Sequence, residues 1–230
     1  MATLSGVAAY LEEGGLIGEW RLAWGLEVRA AAAFSPLSVD LLTAGELARY
    51  RTLSDTLRRR DWLTGRAALR RLLRRLDLGP DTSSLEFPAA NISLTHSAGM
   101  AVAVACLDAS APGLGVDLEA ERPMRPESAQ FFLSEGELAK LAGRGALDGS
   151  VECGDALLRL WTAKEALFKS DLGNRNRVLT DYAVADPMVR RGRAGMRAGL
   201  QMADGNPGKE FRYVSHRLVG WHLSLAAASA

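Results

Sequence analysis

The chain has 230 residues, enough for one large domain or two small ones, and its 48% hydrophobic and 24% charged residues are ordinary for a soluble globular protein. A formal net charge of +1 gives no long-range field to attract nucleic acid or an anionic membrane. No apolar run approaches the roughly 20 residues of a spanning helix, Glu12 and Glu13 break any basic-then-apolar leader, and the two cysteines form no zinc or disulfide framework, so a monomer in a reducing cytoplasm is the expectation.

In chain order, the first strong signal is residues 42–50, L-T-A-G-E-L-A-R-Y. Thr43 and Glu46 there make a capping box, in which hydroxyl and carboxylate each accept a backbone N–H at a helix start. A longer helix follows, with Leu69, Leu72, Leu73 and Leu76 at core spacing and Arg66, Arg70 and Arg74 on a basic side. Arg66, beside Gly65, offers a fork that matches phosphate oxygens, or is one more arginine of a basic helix face. Residues 91–99, N-I-S-L-T-H-S-A-G, read as a turn whose His96 either donates to a phosphate or is simply solvated. Residues 100–107 read as a strand covered on both faces.

Residues 115–119, G-V-D-L-E, form a strand with Asp117 and Glu119 on one face and Val116 and Leu118 on the other. Neighbouring carboxylates repel unless a cation lies between them, and magnesium suits them because water and phosphate oxygens complete its shell. Alone, the pentapeptide also fits a half-exposed strand with two solvated acids. Residues 133–141, L-S-E-G-E-L-A-K-L, repeat the capping box with Ser134 and Glu137, and the Gly-rich residues 142–155 read as a loop. Residues 161–169, W-T-A-K-E-A-L-F-K, put Trp161, Glu165 and Lys169 on one helix stripe. That stripe is a metal ligand or base beside a phosphate-neutralising cation, or an exposed pair worth about 0.3–0.5 kcal/mol. Residues 190–209 read as an irregular excursion turning at 205–208, and the chain beyond Leu225 as a frayed end.

These signals recur in order. T-G-R-A-A-L at 64–69 answers T-A-K-E-A-L at 162–167, and His96 precedes an apolar run as His216 does. The expected fold is therefore α+β, with pseudo-two-fold duplicated α/β halves at residues 1–110 (from about residue 18) and 111–230. Each half has an opening strand, a capped helix, a longer helix and closing strands. Superposing the repeats sets Asp117 opposite Leu26, Glu119 opposite Val28, Glu165 opposite Ala67 and Lys164 opposite Arg66. All three carboxylates then belong to the second half and His96 and Arg66 to the first, which predicts a single active site at the seam.

Together, the four segments resemble the Sfp-type 4′-phosphopantetheinyl transferases. That family has a G-R-x-A-A helix, an S-x-S/T-H-x-x-G turn, a G-x-D-x-E strand and a W-x-x-K-E-A-x-x-K helix. The counterparts are Gly65-Arg66 with Ala68, residues 93–99, residues 115–119 and residues 161–169, and Phe131-Phe132-Leu133-Ser134 resembles the family's helix start. Thr95 stands where the family commonly has serine, and S-D-L-G-N-R-N-R after Lys169 departs from its basic-glycine run.

The resemblance implies transfer of 4′-phosphopantetheine from coenzyme A to a serine of an apo acyl or peptidyl carrier protein, with release of 3′,5′-adenosine bisphosphate. Asp117, Glu119 and Glu165 would hold Mg2+ (or Mn2+) against the pyrophosphate. Glu165, directly or through a metal-bound water, would help remove the serine proton. Lys169, with Lys164, would offset phosphate charge, and Arg66 and His96 would hold the nucleotide part. Fatty acid, polyketide and nonribosomal peptide carriers all fit. A non-catalytic coenzyme A or nucleotide binder would not need Asp117, Glu119, Glu165 and Lys169 together, and an RNA-binding arginine helix would interleave aromatics.

Overall fold

Apolar strands pair into two antiparallel sheets, and each sheet is covered by a 20-residue helix. The computed structural model describes residues 18–21, 27–107, 113–196 and 209–228. The chain divides into two units, Met1–Ser110 and Ala111–Ala230.

The first unit runs β1 (Gly18–Arg21), β2 (Glu27–Ala33), α1 (Ala44–Arg51), α2 (Thr56–Arg75), β3 (Ile92–Ser97) and β4 (Met100–Cys106), with sheet order β1-β2-β4-β3. Every residue of β4 is buried, as its unbroken apolar sequence predicts. The alanine-rich composition has a structural use here. Ala31 and Ala33 of β2 and Ala101, Ala103 and Ala105 of β4 pack against Ala67, Ala68, Leu69 and Leu72 of α2, and small side chains let a helix lie close to a sheet. Both bonds of the Thr43–Glu46 capping box form at the start of α1, and Asp55 caps α2 by accepting from Arg58 N at 2.8 Å.

The second unit runs β5 (Leu114–Ala120), a 3-10 segment (Pro126–Phe131), α3 (Glu135–Gly143), α4 (Val151–Ser170), β6 (Tyr182–Val184), β7 (Arg191–Met196), β8 (Glu210–Leu218) and β9 (Trp221–Ala228). Its sheet order is β5-β9-β8-β7-β6. Ala163, Ala166 and Leu167 of α4 pack on Tyr182, Phe211, Tyr213 and Ala226 of this sheet. Within each unit the first long strand pairs with the last, and the last with the one before it: β2-β4-β3 and β5-β9-β8.

Three expectations are corrected. The loop predicted over 142–155 is shorter, because Ser150 accepts from Cys153 N at 3.1 Å and starts α4 at Val151. The predicted excursion contains β7, whose backbone is paired on both sides by β6 and β8 whatever its Gly and Arg side chains prefer; residues 205–208 lie outside the described residues. The predicted frayed end is strand as far as Ala228, because Ala227 pairs with Leu114 on one side and with Arg212 on the other. Among the described residues no helix is long and apolar enough to cross a membrane.

Candidate active site

The site is built where α4 crosses β5 with the two backbones almost touching. A Cβ placed on Gly115 would lie 1.9 Å from the Ala166 carbonyl oxygen and 2.7 Å from the Ser170 nitrogen, so any side chain there would push the helix away. The helix runs antiparallel to the strand. Near its middle, Trp161 Nε1 donates to Glu119 Oε1 at 3.1 Å, and two turns later Lys169 Nζ donates to Asp117 Oδ1 at 2.7 Å. Glu165 lies on the same stripe midway between those anchors. Asp117, Glu119, Glu165 and Lys169 are thus carried on facing sides of β5 and α4, while Val116 and Leu118 are buried on the strand's other face.

Electrostatics follow from this packing. Burial raises the Glu165 carboxyl above its ordinary value. Lys169 opposes that shift, while the charges of Asp117 and Glu119 add to it. Lys169 pairs with Asp117 at 2.7 Å and Arg122 Nε lies 3.9 Å from Glu119 Oε2, and neighbouring carboxylates of this kind favour a cation between them. Their all-oxygen donor set suits a hard dication such as magnesium. Below α4, Thr162 and Ser224, and Ser224 and Ser215, share hydroxyl hydrogen bonds of 2.8 Å that fill the contact with neutral polar groups. Trp161 stacks edge-on against Phe132 at 5.4 Å, which holds its indole toward Glu119.

Lys164 lies elsewhere. It has no exposed surface, and Nζ donates to Glu137 Oε2 at 2.7 Å and to the Tyr182 carbonyl. Burial lowers its pKa and the Glu137 carboxylate pushes it back up. Arg66 is also interior to its own unit. Its Nη1 donates to the Thr82 carbonyl at 3.1 Å and hydroxyl at 3.0 Å, with the guanidinium 4.8 Å from the Trp62 ring centroid. Both cations face polar partners within the protein. His96 is half-exposed, with Nδ1 4.0 Å from Asp61 Oδ2. The turn predicted around it is strand β3 as far as Ser97, because His96 pairs with Ala101 of β4.

One cluster escaped the sequence reading. Glu121, Asp155 and His222 each bring a ligand atom within 4.8 Å of the others; among the described residues this group, rather than Asp117, Glu119 and Glu165, is gathered that tightly. His222 Nε2 lies 3.0 Å from Asp155 Oδ1, and burial lowers the pKa of its imidazole. Arg217 Nε donates to Glu121 Oε1 at 2.8 Å and approaches Asp155 Oδ1 at 3.4 Å, so a cation already serves these acids. The cluster borders a cavity of about 440 Å³ that Arg122, Met124, Arg125 and Val151 also line. The cluster adjoins the site, since His222 sits opposite Glu119 on neighbouring strands and Arg122, which lines the cavity, lies 3.9 Å from Glu119 Oε2; nothing local in the sequence marks it.

No curated protein matches the chain. Residues 113–224, which contain β5, α4 and the Asp117, Glu119, Glu165 and Lys169 face, match the family of the 4′-phosphopantetheinyl transferase superfamily, so this part of the chain is similar to transferases of the phosphopantetheinyl kind.

Proposed function

We propose that this protein transfers the 4′-phosphopantetheine group of coenzyme A to a serine of an apo acyl or peptidyl carrier protein, as an Sfp-type enzyme. The observation that carries the reading is the coincidence of the superfamily match with the facing carboxylates and lysine of β5 and α4. Asp117, Glu119 and Glu165 would hold Mg2+, which when bound neutralises the pyrophosphate and orients it for attack. The all-oxygen donor set fits that ion better than the Glu121, Asp155 and His222 group does, because the latter includes an imidazole.

The serine oxygen attacks the phosphorus nearer the pantetheine, the bond to the bridging oxygen breaks, and 3′,5′-adenosine bisphosphate leaves. Glu165, its proton affinity raised by burial and by its acidic neighbours, takes the serine proton. Lys169, held against Asp117, turns toward the phosphates as charge builds on them. His96 contacts the phosphates of the nucleotide part. Arg66 supports them indirectly, by fixing the chain around Thr82.

The carrier would dock where the chain leaves β5. Arg122, Met124 and Arg125 line the 440 Å³ cavity there with Pro123 and Val151, beside Glu121 and Asp155, with which Arg217 pairs, and Arg122 and Arg125 would meet an acidic partner. Incubation with coenzyme A, Mg2+ and an apo carrier, followed by mass spectrometry, should show one phosphopantetheine added per carrier. An unmodified carrier across fatty acid, polyketide and peptide types would sink the proposal.

A further inference from the structure

We infer that Lys164 is a positioning residue: buried with Glu137, it clamps α4 to α3 and β6 and thereby fixes the face of α4 that carries Glu165 and Lys169. The inference deepens the proposed function and rests on its assignment of the α4 face. Glu137 is 2% exposed and Lys164 has no exposed surface at all. Glu137 Oε2 accepts from Ser134 N at 2.7 Å, Ser134 Oγ at 2.8 Å and Lys164 Nζ at 2.7 Å, while Oε1 accepts from Val184 N at 2.7 Å. One carboxylate therefore ties the start of α3, the strand β6 and the middle of α4. If Lys164 swung out to meet a phosphate, it would abandon that carboxylate in the interior without a counter-charge, which is strongly unfavourable.

The position of Lys164 in the helix gives the clamp its consequence. Successive residues turn by about 100° around a helix, so Lys164 leaves α4 on a different flank from Glu165. Trp161 and Thr162 are bonded to Glu119 and Ser224 on the site side, and Lys164 to Glu137 on the other. Arg159, also buried, donates to the Val189 and Pro187 carbonyls at 2.7 and 2.5 Å. Anchors on both flanks fix the rotation of α4, and rotation decides whether Glu165 faces Asp117 and Glu119.

An independent observation comes from the first unit. There Glu46, the capping-box acid of α1 and 1% exposed, accepts from Thr43 N at 2.9 Å, from Thr82 N at 3.3 Å and from Arg70 of α2. A similar construction, a capping-box carboxylate joining a short helix, a later backbone N–H and a cation of the long helix, thus occurs on a helix where Ala67 stands in place of Glu165, with Arg70 as the cation one turn beyond Arg66, the residue opposite Lys164. A clamp is what the two instances share, and phosphate contact is not required to explain either.

The test compares Lys164→Met, Glu137→Gln and the double variant in melting temperature, coenzyme A affinity by calorimetry with Mg2+, and kcat. Each single variant should melt lower and lose about tenfold or more in kcat, with the coenzyme A Kd within about threefold of the unaltered protein. The double variant, which leaves no uncompensated buried charge, should regain melting temperature and part of kcat over Lys164→Met. If Lys164→Met weakens coenzyme A binding by about tenfold or more while Glu137→Gln does not, Lys164 contacts phosphate and the inference fails. A double variant that melts no higher than Lys164→Met also overturns it. Should Lys164→Met not fold, a folded double variant supports the clamp and an unfolded one refutes it. The melting arm needs no turnover, so an unaltered protein that neither binds coenzyme A nor modifies a carrier rejects the proposed function separately.

Discussion

A single methyl group at Gly115 should separate the two elements that carry the site. In Gly115→Ala the new Cβ would begin 1.9 Å from the Ala166 carbonyl oxygen and 2.9 Å from its carbon, both of them backbone atoms of α4 that cannot rotate aside. Side-chain carbons do not approach other heavy atoms closer than 3.0 Å, so the helix must retreat from β5 by about 1 Å or more. Overpacking of this kind costs about 1–3 kcal/mol, which lowers the melting temperature without abolishing the fold. The catalytic cost should be larger. Glu165 and Lys169 move with α4 while Asp117 and Glu119 stay with β5, and a displacement of about 1 Å among reacting groups costs roughly 100-fold in rate. The assay is carrier modification followed by mass spectrometry, beside thermal melting by circular dichroism. Gly136→Ala on the exposed surface of α3 is the control: nothing lies within 4 Å of its added Cβ, and alanine favours a helix over glycine by about 0.5–1 kcal/mol. A Gly115→Ala protein with undiminished kcat would refute the idea that close approach of α4 and β5 sets the carboxylate geometry.

Asp117→Ala should abolish magnesium- or manganese-dependent transfer while the circular dichroism spectrum persists, and full turnover in excess chelator would contradict a metal role for the three carboxylates. If the proposed carrier surface around Arg122 and Arg125 is correct, the KM for an acidic carrier should rise with ionic strength more than that for coenzyme A; equal salt dependence would move the docking surface elsewhere. His96→Ala should raise the KM for coenzyme A while His216→Ala leaves it near that of the unaltered protein, and calorimetry should find one coenzyme A per chain; two equivalent sites per chain, or equal damage from the two histidine changes, would overturn the assignment of His96. Burial pushes the Tyr213 hydroxyl from 10.0 up to about 12, so its contribution to stability is complete below pH 10 and is lost as pH rises toward 12. Tyr213 should therefore account for about 2–3 kcal/mol of an alkaline loss in urea unfolding, to which Tyr182, also buried and raised, adds; Tyr213→Phe should make the alkaline slope shallower, and equal slopes in both proteins would disprove it.

What could be read from the sequence was governed by local rules. The capping boxes at Thr43–Glu46 and Ser134–Glu137 form as their spacing predicts, because the hydrogen bonds involved span three residues. Alternation along β5 was enough to put Asp117 and Glu119 on one face and Val116 and Leu118 on the other, and helical periodicity to align Trp161, Glu165 and Lys169. The tertiary structure decided where each charge ends. Lys164 and Lys169 look alike in the motif, yet five positions on a helix rotate them onto different flanks, one against a buried capping-box acid and the other against Asp117. Strand β7 and the end of β9 exist because neighbouring strands satisfy their backbone groups, which no property of residues 191–196 or 226–228 announces. The His222, Asp155, Glu121 and Arg217 cluster arises from sheet register and helix placement between residues far apart in the chain. Local pattern fixes which side of its own element a residue occupies, but what that side meets depends on long-range packing.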